Sequence, residues 1–88
     1  MDISGQDSIA VIRDLLTRAD PNLDEAQRES VWDDFNCGEE FIALERTVGF
    51  LFENRSAIPY ALVKDIQTCL ATVGSSYARN LERLAADR

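Results

Sequence analysis

No histidine occurs in the 88 residues, so the side chain that titrates nearest neutrality, and with it the commonest general base, is missing. There is no G-x-S-x-G elbow, no P-loop and no G-x-G-x-x-G phosphate cradle. Cysteine is scarce. Cys37 and Cys69 lie 32 positions apart with no CxxC pair, and without histidine they cannot complete a zinc set. Two free thiols in a reducing compartment are expected, a disulfide being the alternative. The longest apolar run, Val48 to Phe52, is far too short to span a bilayer. Met1 to Gln6 has an acid at position 2 and neither a basic n-region nor an apolar h-region. These absences point to a cytoplasmic protein with no metal or cofactor set and no catalytic constellation.

What the chain does have is apolar residues at helical spacing. They make up 45% of the sequence, enough for one small core in a single domain spanning 1–88. The stretch Gly38 to Asn54 organises the rest. On a helical wheel Phe41, Leu44, Val48, Leu51 and Phe52 fill one face, with Ala43 and Phe50 beside it. A helix apolar around most of its circumference must be covered on several sides, which predicts an all-α bundle of four to five helices around a central helix at about 38–54.

The covering helices follow in order. Residues 1–7 are expected to fray, and Ser8 to Ala19 forms a first helix that Asp20-Pro21 ends. Asn22 with Glu25 three residues on has the form of a capping box, opening a second helix to about Phe35. Gly38 suits the C′ position after it. Pro59 belongs in the first turn of a fourth helix, whose face comprises Ile58, Leu62, Val63, Ile66, Cys69, Leu70 and Val73. Gly74 stops or kinks that helix. Tyr77, Leu81, Leu84 and Ala85 then give residues 75–88 the pattern of a short fifth one.

Charge is the other strong signal. The net charge is −7, yet Asp20 to Glu45 alone holds nine acids against Arg28, and the remainder carries +1. Nucleic acid is a poor partner for such a surface and a basic protein a good one. Glu25, Glu29 and Asp33 stack at i, i+4, i+8 on the second helix, which weakens an isolated helix by a few tenths of a kcal/mol per pair. Either solvent tolerates that stripe or a partner covers it. The candidate partner-binding residues are Glu25, Glu29, Trp32, Asp33, Asp34, Glu39 and Glu40. Trp32 can be read as an anchor for a partner's pocket or as core, and its exposure separates the two.

Two chemical readings of the acids are weaker. Glu39 and Glu40 as a catalytic pair would point about 100° apart on a helix, and acids in a first turn already favour the helix dipole. Asp34, Asn36 and Glu45 stand at positions 1, 3 and 12 of a calcium-loop pattern, but Gly38 falls where a ligand is needed and Glu39 where the turn needs glycine.

The run Gly38-Glu39, Ala43-Leu44-Glu45, then Leu51, Glu53, Ile58 and Leu62 resembles, without gaps, the core of the Maf-type immunity proteins. Contact-dependent growth inhibition immunity proteins include similar chains. The resemblance covers roughly Leu23 to Gly74. It departs where the family often has a Ser or Thr cap and this chain has Pro59, and many members end near Gly74. It implies a small helical protein of the bacterial cytoplasm, not an enzyme, that binds a cognate toxin's C-terminal domain, often an RNA-cleaving nuclease, as a monomer in a 1:1 complex. A helical adaptor or subunit of a larger assembly is the alternative function.

Overall fold

A computed structural model describes Gly5 to Asp87, with side chains from Ser8 onward. Four α-helices, α1 (Gly5–Ala19), α2 (Glu25–Asn36), α3 (Glu40–Glu53) and α4 (Tyr60–Ala71), are followed by two short 3-10 turns, Ser76–Ala78 and Leu81–Leu84. The fold is an all-α bundle. Central in it is α3, which packs against α1, α2, α4 and the C-terminal turn. Its Ala43, Leu44, Val48 and Leu51 are buried, and the buried Thr47 hydroxyl donates to the Ala43 carbonyl at 2.9 Å, so no polar group is stranded there. The expected face is narrower than the wheel suggests. Phe52 sits at its margin, 38% exposed.

α2, α3 and α4 all stop in the same way. After α2, Gly38 has φ +84°, its N–H bonds Phe35 O at 3.1 Å and the Glu39 N–H bonds Asp34 O at 3.0 Å, the two-bond Schellman pattern. Gly74 repeats it after α4 with φ +68° and bonds from Gly74 to Ala71 and from Ser75 to Leu70. After α3 the left-handed position falls to Arg55, φ +53°, where an L side chain is strained by roughly 1–2 kcal/mol. Arg55→Gly is therefore expected to raise stability by about 1 kcal/mol, after glycine's own entropy cost, in a urea titration.

Three local expectations need correction. α1 begins at Gly5, so residues 5–7 are helical where fraying was expected, while Met1 to Ser4 lie outside the described residues. The cap of α2 is Asp24, not Asn22. Pro21 holds Asp20–Asn22 in a 3-10 turn, which delays the helix and leaves Asp24 to accept from the Gln27 N–H at 2.8 Å while Gln27 Oε1 accepts from the Asp24 N–H at 3.0 Å. The third is the C-terminal segment, which forms no fifth α-helix. Asn80 adopts φ +62° and breaks the run. A 3-10 turn places residues three apart on one side, and it delivers Leu81 and Leu84 together into the core.

This segment is tied down along its length. Ile58 N–H bonds Leu84 O at 2.9 Å and Ala86 N–H bonds Ile58 O at 2.8 Å, an isolated parallel bridge. The Asp87 carboxylate accepts from the Tyr60 N–H at 2.7 Å, filling the capping role at the start of α4 that Pro59 cannot. Ser75 Oγ donates to Glu45 at 2.6 Å.

A part-buried polar cluster joins the first turn of α2 to the turns after α1 and α3. Gln27 Nε2 donates to Asn54 Oδ1 at 3.0 Å, and Asn54 Nδ2 donates to Gln27 Oε1 at 2.8 Å and to Asn22 O at 3.0 Å. Gln27 is 8% exposed, while Asp24 and Asn54 face solvent, so its loss removes these bonds without burying an unpaired partner. Gln27→Ala should cost about 0.5–1.5 kcal/mol by denaturant unfolding.

Candidate partner-binding face

The candidate residues divide by what already holds them. Asp34 is taken: its Oδ2 accepts from Arg46 Nε at 2.6 Å, an ion pair that ties α2 to α3. Trp32 is half-buried on the core, edge-on to Phe35 with ring centroids 5.4 Å apart. Its indole N–H donates to Asp20 Oδ1 at 3.1 Å, and the other Asp20 oxygen lies 4.0 Å from Arg28 Nε. The ring therefore clamps α2 to the turn after α1. Only part of it faces solvent.

Five acids remain. Glu25, Glu29 and Asp33 are exposed along about 12 Å of α2, at the helical rise per residue. Glu39, exposed, and Glu40, half-buried, follow across the Gly38 turn, and Glu39 stands at the cap of α3 without making a capping bond. None of the five side chains has an ion pair or hydrogen bond to another described residue. The acids nearest to them in sequence, Asp20, Asp24, Asp34 and Glu45, all serve the fold. The charge run is thus two populations, and only one is free to meet a partner.

Asp34 to Glu45 does not fold as a calcium loop. It is the end of α2, a Schellman turn and the start of α3, with its terminal carboxylates bonded to Arg46 and Ser75. Among the described residues no three His, Cys, Asp or Glu side chains group as a metal site, and no helix is long and apolar enough to cross a membrane.

Both cysteines are free thiols, Cys37 exposed and Cys69 half-buried against the core. Burial pushes the Cys69 thiol up. A raised folded-state value means the stabilisation is full below the unfolded thiol's pKa, about 8.5, and is lost as pH rises through the folded one. At pH 8 a disulfide reagent should therefore label Cys37 first and Cys69 slowly, followed by mass spectrometry of the two peptides.

A feature the sequence reading missed lies between α1 and α4. There Val11, Leu15, Phe41, Cys69 and Val73 line an open groove of about 760 Å³, ending at Arg18, which donates to Asp65 at 2.9 Å and to Asp14 at 3.4 Å. The two carboxylates hold the Arg18 guanidinium more firmly protonated, Asp65 foremost. Val73, which the helical pattern puts on the core-facing stripe of the fourth helix, is exposed here. Comparison with protein-family models, with characterised proteins and with solved structures finds no match for this chain.

Proposed function

We propose that this protein is an immunity protein, which binds a cognate toxin domain of basic, RNA-cleaving character and neutralises it through the stripe Glu25, Glu29, Asp33, Glu39 and Glu40. The observation that carries the reading is that these five carboxylates fall within residues 25–40, are solvent-facing or nearly so, and have no ion pair with another described residue. A nuclease must hold a polyanion, so its groove presents Lys and Arg, and an acidic protein surface can compete for the same groove. Unpaired like charges steer such a partner inward and reject acidic ones.

The resemblance to Maf-type immunity proteins supports the same reading, and the fold says what several of its positions are for. Ala43, Leu44, Leu51, Ile58 and Leu62 are core, and Gly38 is the left-handed stop of α2. Glu45 is held by Ser75, which leaves Glu39 as the acid among the resembling positions 38–45 that is free for contact. The test is growth rescue. Expression of the C-terminal toxin domain encoded beside this chain should arrest cells, and co-expression of the chain should restore growth; continued arrest with both proteins soluble refutes the proposal.

A further inference from the structure

The groove between α1 and α4 shares no residue with the acidic stripe. Its lining recurs at Val11, Asp14 and Arg18 on α1 and at Asp65, Thr68 and Cys69 on α4, with Val73 in the turn just past α4. The Arg18–Asp65 pair joins the last turn of α1 to the middle of α4. Ser8 to Arg18 gives the groove a length of about 15 Å, or nearly three helical turns. Its middle is apolar and open, with Val11 47% and Val73 52% exposed.

We propose that this groove receives one amphipathic helix of a partner protein, lying on Val11, Phe41, Cys69 and Val73 with a Lys or Arg set against Asp14 and Asp65. Two neighbouring helices with an apolar seam between them offer a seat for a third, the helix-in-groove mode of recognition. Charge selects the occupant. Asp14 and Asp65 share one guanidinium, so that end of the groove carries a net negative charge, and the rest of its lining carries none. A second copy of this chain would bring another −7 against it, which disfavours self-association. The inference goes beyond the acidic stripe and needs only that the chain binds another protein.

The test uses the full chain, isotope-labelled for amide NMR, and three synthetic peptides of about 14 residues. One has Leu at i, i+3, i+4 and i+7 and Lys one turn beyond, one replaces that Lys with Glu, and one is scrambled. The Lys peptide should give saturable shifts at Val11, Thr68, Cys69 and Val73, several-fold tighter than the Glu peptide. Val11→Asp with Val73→Asp should abolish them while helical circular dichroism and the melting midpoint stay unchanged, both residues being exposed. No saturable shift at about 1 mM, equal binding by the scrambled peptide, shifts on α2 instead, or dimerisation through the groove by sedimentation would each overturn the proposal. The peptides carry no toxin sequence, so this result and the growth rescue succeed or fail separately.

Discussion

Reversing Glu25, Glu29 and Asp33 to Lys together is expected to slow association with the proposed basic toxin domain by about a hundredfold at low salt, and by far less at high salt. These three side chains are exposed and carry no internal bond, so their loss leaves the fold intact and removes only the field that guides encounter. The effect should fall on the association rate in stopped-flow or surface-binding kinetics, with dissociation changed less, as rim charges behave. Asp34→Lys makes the contrasting variant. It breaks the 2.6 Å bond to Arg46 and should register in stability rather than in the salt dependence of binding. A triple reversal that leaves the association rate unaltered would place the interface elsewhere.

The second large effect concerns stability. Leu81 is fully buried and Leu84 nearly so, although both come from a segment without an α-helix of its own. Leu81→Ala should cost about 2–5 kcal/mol, the range for a buried leucine whose cavity cannot collapse. A domain this small has only several kcal/mol in hand, so a chain cut after Gly74 should show no cooperative unfolding transition at 25 °C. It would lose both leucines, the Ile58 bridge and the Asp87 cap at once. A cooperative urea transition from the shortened chain, with an unchanged slope, would contradict this.

Legibility tracked the range of the interaction. The α3 helix could be read because its apolar residues lie around most of one continuous stretch, and Gly38 and Gly74 because a left-handed stop demands glycine almost by itself. Arg55 occupies the equivalent place after α3 and gave no such signal. Asn22 and Asp24 are both good caps two residues apart, and only the 3-10 turn imposed by Pro21 decides between them. In the tail, the spacing of Tyr77, Leu81, Leu84 and Ala85 suits an α-helix, but Asn80 turns left-handed and the tertiary bridge to Ile58 fixes the outcome.

The candidate site was legible as composition and not as contacts. Nine acids in one segment are visible in the sequence, but bonds from Arg46 to Asp34, from Trp32 to Asp20 and from Ser75 to Glu45 span 12 to 30 positions and sort those acids into structural and free. The groove was hidden for a related reason. Periodicity marks Val11 and Val73 as apolar-face residues, and it does not tell a face covered by the chain itself from one left open.

The most direct measurement is an amide NMR titration of this chain with the proposed toxin domain. The largest changes should fall on Glu25, Glu29, Asp33, Glu39 and Glu40 and should weaken as salt is raised. Tight binding that leaves those five amides unmoved, or no binding at all at low salt, would contradict the proposal that this acidic face binds a toxin domain.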